Sequence, residues 1–203
     1  MYRVIGSVKS RAFRVLWALE ELGQPYTLID AGPRSDTARQ YNPLGKIPAL
    51  ADGDDVMTDS VAIMTYLADK HGGLTAPAGT PARARQDAIT LWLIDELDAI
   101  LWTNAKHSFV LPEKLRVPAV APTLHKEFAR NADTLADMLE ASGDFLMGDH
   151  LTVPDILAVH CLGWAFGAKF PDLPEPVKAY SKRLRARPAF RAAQAAEAVQ
   201  ADT

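Results

Sequence analysis

A single cysteine, Cys161, is the only thiol in a chain of 203 residues. No disulfide can form within the chain, which fits a reducing compartment and a cytoplasmic location. Charge of one sign is also missing. With 22 basic against 25 acidic residues the formal net charge is -3, so the sequence has no electrostatic case for nucleic acid or anionic membrane. Long apolar runs are missing too: the longest uncharged one, residues 156–168, falls well short of the roughly 20 residues that span a bilayer. The opening Met1-Tyr2-Arg3-Val4-Ile5-Gly6 reads as lacking the apolar core of a signal peptide. No spacing of His, Asp and Glu suggests a metal, and none is expected. What is present is ordinary for a soluble protein with a real core, 48% hydrophobic and 23% charged residues, enough for one large domain or two modest ones.

The first part of the chain alternates between strand and helix periods. Residues 2–5 read as a short strand. Across residues 11–22, Ala12, Val15, Leu16, Leu19 and Leu22 follow the helical period, with Arg11, Arg14 and Glu21 as a polar stripe. Phe13 and Trp17 add a second apolar side, so this helix is expected to pack on two surfaces. Gly23 ends it and Pro25 prevents its continuation. Residues 26–29 read as the next strand, giving a strand-helix-strand unit that should be parallel and right-handed. Residues 47–50 and 56–57 flank Asp52-Gly53, a hairpin signal, and a helix over about 60–70 follows with Val61, Ile63, Met64 and Leu67 apolar. This order predicts an α/β thioredoxin-like N-terminal domain over residues 1–74. His71-Gly72-Gly73 ends the last helix, and the Pro-, Ala-, Gly- and Thr-rich residues 75–81 read as a linker. Residues 82–203 are predicted to be an all-α helical bundle, with helices over 82–106, 117–141, 153–168, 176–186 and 188–198 and no strand.

Three places can carry chemistry. In Asn42-Pro43-Leu44-Gly45-Lys46-Ile47-Pro48-Ala49-Leu50 a turn delivers an Ile-Pro bond into an apolar strand. Pro48 reads either as an ordinary trans proline at a strand start or as a cis bond that leaves the Ile47 backbone to pair with a ligand. Asp59 and Ser60 read either as caps of the helix they precede or as receivers of an external carboxylate at its positive end. Ser10, and Ser7 three residues earlier, stand where the first helix begins; each can be a cap, or can donate to a ligand thiolate.

Taken together these features resemble the cytosolic glutathione transferases, in particular bacterial members with a serine-type active site, over essentially the whole chain. Residues 42–50 resemble that family's glutathione loop with its cis-proline, and Asp59-Ser60 its acidic-Ser pair for the γ-glutamyl end. Arg14-Val-Leu-Trp-Ala-Leu-Glu-Glu-Leu-Gly23 resembles the first helix of many bacterial members. Gly148-Asp-His-Leu-Thr-Val-Pro-Asp155 resembles the family's capping box, with Thr152 and Asp155 as the reciprocal pair and Pro154 in place of the more usual alanine. The resemblance implies a transferase that binds glutathione as co-substrate and adds its thiolate to small hydrophobic electrophiles, as in detoxification. It implies Ser10 as the thiolate-activating hydroxyl, with Ser7 as the alternative, and Lys46 on the glycyl carboxylate. It also implies a homodimer.

By the same resemblance the electrophile site should lie between the domains. Arg11, Trp102 and His107 are its candidates, with Trp92 and Phe109 behind them, and for all of these a core or solvent-facing role competes. Cys161, in an apolar helix, is expected to be inert. Asp95 and Asp98 read as a solvated face or as reaching a partner subunit's ligand. Tyr2, inside the first strand, is poorly placed to replace the serine. Isomerisation, dehalogenation or peroxide reduction would use the same thiolate, and a non-catalytic binding or regulatory protein would keep the same scaffold. A glutaredoxin-like exchanger is disfavoured because no cysteine stands at the first helix start.

Overall fold

The computed structural model describes residues 1–199, so the end of the predicted helical domain, residues 200–203, lies outside the described residues. The described residues form two compact units: Met1–Ala78 together with residues 185–199, and Gly79–Leu184.

The first unit is built on a mixed sheet of order β4-β3-β1-β2-β5. Its strands are β1 (Tyr2–Gly6), β2 (Tyr26–Asp30), β3 (Ala49–Asp52), β4 (Asp55–Thr58) and β5 (Ala198–Val199). β1 and β2 run parallel with Val4 beside Leu28 and Ile5 beside Ile29, as a crossover through α1 (Ala12–Glu21) requires. β1 pairs antiparallel with β3, and β3 with β4 through a hairpin in which Asp52 faces Asp55 and Gly53 takes φ +62°. Strand alternation separates two faces. Ile5, Ile29, Ala49 and Ala51 cluster with Ala31 and Ala38, and with Tyr41 and Ile47, on the side of α2 (Asp36–Tyr41). Val4, Leu28 and Leu50 point the other way, and all three are buried.

Every residue of α1 from Ala12 to Leu19 is buried, so the helix does pack on more than one surface. The predicted polar stripe is not a solvent face. Arg14 is 2% exposed, and the Glu21 carboxylate accepts from Trp17 Nε1 at 2.9 Å and from both Nε and Nη2 of Arg187 at 2.6 and 2.7 Å. α3 (Ser60–His71) closes the unit and ends at Gly72 in the left-handed conformation.

The C-terminal stretch departs from the sequence expectation. α9 (Pro188–Gln194) stops short of residue 198, and β5 then pairs parallel with β2 at Leu28 and Ile29. Alanine-rich helix propensity is overridden by the unpaired edge of β2, which offers backbone partners, and by Phe190, whose ring meets Phe13 and Trp17 at centroid distances of 5.0 Å each. The last helix therefore belongs to the first unit, and the region after residue 82 is largely rather than wholly helical.

In the second unit the predicted 82–106 helix is three pieces: α4 (Pro81–Leu93), a π-helical turn over Ile94–Asp98, and α5 (Ala99–Ala105). A further π turn, Lys106–Val110, follows. α6 (Ala121–Ser142) begins four residues later than predicted because Pro118 starts a 3-10 turn and Pro122 sits in the first helical turn. α7 (Val153–Gly167) is apolar on nearly every side, and α8 (Glu175–Arg185) follows it.

Asp155 anchors this unit. It is fully buried within the capping box with Thr152, and its carboxylate accepts from the Leu146 amide at 2.9 Å, the Thr152 amide at 2.8 Å and hydroxyl at 2.9 Å, and the Tyr180 hydroxyl at 2.8 Å. Burial pushes the Asp155 carboxyl above its ordinary range against the pull of those donors, and burial beside Asp155 holds the Tyr180 hydroxyl protonated. Asp155→Ala strands buried donors at about 1–3 kcal/mol each. Denaturant unfolding should show a loss of about 3 kcal/mol or more; an unchanged midpoint would show that the network carries no stability.

Candidate functional site

At the carboxyl end of β1 the chain turns at Gly6 (φ +153°), where a Cβ would stand 2.6 Å from Ala12 Cβ, 3.6 Å from Ile47 Cβ and 3.7 Å from Ser10 Oγ. Strand end, helix start and the loop before β3 thus meet at a point that only a residue without a side chain can occupy. Two of the residues singled out in the sequence, Ser10 and Ile47, stand within 4 Å of it. Tyr2 lies at the opposite end of β1, its hydroxyl 2.9 Å from His71 Nε2, so it takes no part.

Ser10 is half-buried just before α1. Its Oγ donates to the Ser7 carbonyl at 2.8 Å and accepts from the Ala12 amide at 3.1 Å, a local cap that holds the oxygen at the helix start. For this hydroxyl to donate to any other group, its proton must rotate away from the Ser7 carbonyl.

The loop from Asn42 to Pro48 is held from within. Buried Asn42 donates through Nδ2 to the Lys46 carbonyl at 3.1 Å and accepts at Oδ1 from the Leu44 amide at 3.1 Å, while its carbonyl accepts from the Gly45 amide at 2.7 Å. Gly45 adopts φ +63° with its Cβ position 3.0 Å from Arg34 Cα, so a side chain would collide there. The Ile47–Pro48 peptide bond is cis. Ile47 precedes the first paired residue of β3, and neither its N–H nor its C=O is hydrogen-bonded among the described residues. That leaves one backbone donor and acceptor beside Gly6, the pair an extended peptide ligand requires. Lys46 is exposed at the same loop.

Asp59 caps α3, accepting through a single carboxylate oxygen from the Val61 and Ala62 amides at 2.8 and 3.2 Å, and it does so at φ +71°. Ser60 behind it is 3% exposed, and its Oγ accepts from Arg14 Nη1 at 3.2 Å. Sequence reasoning missed Arg14, reading it only as part of a polar stripe, and left Asn42 without a role. The available signal for Arg14 was its position one turn after Ser10 in a helix otherwise apolar on both sides.

The remaining candidates fall elsewhere. Arg11 is half-buried at the residue before α1. Trp102 and Phe109, for which core burial competed, are 38% and 68% exposed in the second unit. Trp92 is half-buried. His107 accepts at Nδ1 from the Val117 amide at 3.1 Å and lines a cavity of about 370 Å³ with Asn104, Glu113 and Arg116. Asp95 is exposed, but Asp98 is buried rather than solvated, with Cys161 Sγ 3.9 Å from its Oδ2. No group of His, Cys, Asp and Glu able to hold a metal occurs among the described residues, and none of their helices is long and apolar enough to cross a membrane.

A thioredoxin-like unit with this loop and this helix start, followed by a largely helical region, defines the class. The family model for the glutathione S-transferase N-terminal domain matches residues 6–75. Glutathione S-transferase 3 of Zea mays is 30% identical over 203 residues, covering 90% of this chain and 88% of that protein. Glutathione S-transferase theta-1 of Rattus norvegicus is 34% identical over 131 residues, covering 62% of this chain; the match spans only 54% of the rat protein's length. Among solved structures, the theta class glutathione S-transferase of Xanthomonas axonopodis pv. citri with glutathione bound aligns at TM-score 0.76 and 25% identity, covering 98% of this chain and 99% of that one. The chain belongs to the glutathione S-transferase family.

The close approach at Gly6 makes a direct prediction. Gly6→Ala should destabilise the protein by about 1–3 kcal/mol through overpacking against Ala12, as read from denaturant unfolding. Gly163→Ala in α7, with nothing within 4 Å of its Cβ position, is the control and should be neutral or stabilising. Equal effects from the two substitutions would contradict this reading of Gly6.

Proposed function

We propose that the chain is a glutathione transferase in which Ser10 stabilises the glutathione thiolate for attack on small hydrophobic electrophiles. The observation that carries this is the meeting of Ser10 Oγ and Ile47 around Gly6, which sets a hydroxyl at a helix start beside a free backbone donor and acceptor. The cysteinyl backbone of glutathione pairs with Ile47 at the Pro48 turn, which brings its sulfur toward Ser10. Lys46 meets the glycyl carboxylate. The γ-glutamyl end lies against the start of α3, its carboxylate on Ser60 and its ammonium on the Asp59 oxygen that the capping bonds leave unused. Arg11, Trp102 and His107 are assigned to the electrophile, without a metal. Homodimerisation and a cytoplasmic location complete the reading and rest on kinship with the family.

Chemically, the serine has one task. A hydrogen bond to a charged group contributes roughly 1.5–3 kcal/mol and a helix N-terminus about 0.3–1. At about 1.4 kcal/mol per pKa unit these lower a bound thiol by roughly one to three units from its free value near 8.5. With a shift beyond about 1.5 units thiolate becomes the major form at neutral pH. It attacks the electrophilic carbon, and a leaving group such as halide departs as its anion, or, in an addition, the displaced electron pair takes up a proton from solvent. Conjugation is the default outcome; isomerisation, dehalogenation and peroxide reduction begin from the same thiolate. One observation favours a second reading, a glutathione-binding protein without turnover: the Ser10 proton points to the Ser7 carbonyl.

Ultraviolet titration of the glutathione complex tests the assignment. Ser10→Ala should raise the bound-thiol pKa by about one to two units and lower turnover with aryl halides or hydroperoxides, leaving glutathione affinity within a few-fold. If Ser7→Ala does this and Ser10→Ala does not, the roles are reversed. If the wild-type complex binds glutathione with an unshifted thiol, the protein is a binding module.

A further inference from the structure

The geometry points to Arg14 as a positioning residue that commits the Ser60 hydroxyl to the γ-glutamyl carboxylate of glutathione; this inference rests on the glutathione reading above. Arg14 lies one turn into α1 from Ser10 and is 2% exposed, and Ser60, at the first turn of α3, is 3% exposed. Arg14 Nη1 donates to Ser60 Oγ at 3.2 Å. A guanidinium has donors and no acceptor, so in this contact the serine oxygen can only accept, and its own proton must be directed elsewhere. The usual local use of such a hydroxyl, accepting from the amides of the next helical turn, is already performed by Asp59, which takes the Val61 and Ala62 amides. Ser60 is thereby released from capping and turned into a donor at a helix N-terminus.

Two consequences follow for recognition. With its oxygen taken by Arg14, the Ser60 hydroxyl can offer only its proton at the α3 N-terminus, so the site favours a carboxylate over a neutral group of the same shape. The contact also ties the helix that begins at Ser10 to the helix that begins at Ser60. One side chain therefore sets the distance between the groups assigned to the sulfur and to the far end of the tripeptide. Arg14 acts through Ser60 and touches no reacting atom.

The test pairs one substitution with one ligand change, using calorimetric titration of the full chain. The probes are glutathione and γ-aminobutyryl-cysteinylglycine, which keeps the amine and thiol and lacks only the γ-glutamyl carboxylate. Arg14→Met should weaken glutathione binding about tenfold to a hundredfold while changing affinity for the analogue by less than twofold, and Arg14→Lys should recover part of the loss. A general structural role would weaken both ligands alike, and that result, or no loss for either, overturns the inference. Circular dichroism reports whether Arg14→Met folds. If it does not, Ser60→Ala carries the test: it must show the same carboxylate-selective loss, and a loss shared by both ligands overturns the inference. Failure of the wild-type chain to bind glutathione at millimolar concentration would instead overturn the glutathione reading itself, and the inference with it.

Discussion

The site depends on the absence of one side chain. At Gly6 the end of β1 comes so close to α1 that a Cβ there would overlap Ala12, and the same narrow space lies beside Ile47 and Ser10. Interiors packed as densely as crystals do not absorb an added methyl at 2.6 Å without moving something. What would move is the start of α1 or the loop before β3, the two pieces of backbone that present the hydroxyl and the peptide-pairing groups. A steric constraint inside the fold is in this way also a constraint on the chemistry.

Around that point the polar groups are arranged so that structural needs and ligand needs do not compete. Asn42 and Gly45 satisfy the loop internally, which leaves the Ile47 backbone for something else. Asp59 caps α3 with one oxygen, which leaves Ser60 available. Ser10 is the exception, since its hydroxyl satisfies the Ser7 carbonyl and the Ala12 amide in the same position from which it would serve a thiolate. In the proposed role it would give up one neutral hydrogen bond and gain a charged one, a favourable exchange by roughly 1 kcal/mol.

Much of the fold could be read from periodicity because local preference and tertiary packing agree there. The strands at Tyr2 and Tyr26, the Gly53 hairpin, the Gly23 and Gly72 helix ends and the Thr152–Asp155 cap are local signals with local causes. The misreadings of α1's polar residues and of the tail involve partners distant in sequence. Arg14 and Glu21 look like solvent residues until Ser60 and Arg187 are in place to meet them. The tail after Gln194 reads as helix until the edge of β2 offers it a ladder. α2, with little apolar periodicity and a start marked only by Ser35, whose hydroxyl accepts from the Ala38 amide, carried too weak a pattern to be noticed. At the candidate site, residue types and spacing singled out Ser10, Ile47, Pro48, Asp59 and Ser60 as candidates, and the family resemblance supplied the roles proposed for them. Only the three-dimensional arrangement shows that Arg14 stands behind Ser60.

The most direct test of the central claim is an NMR titration of the full chain with glutathione, following the backbone amides of Ser10, Ile47 and Ser60. These three groups lie on separate elements, so a shared response needs one ligand that spans them. The account predicts that all three shift together and saturate with a single dissociation constant. Saturation by glutathione without movement of Ile47 and Ser60 would contradict it.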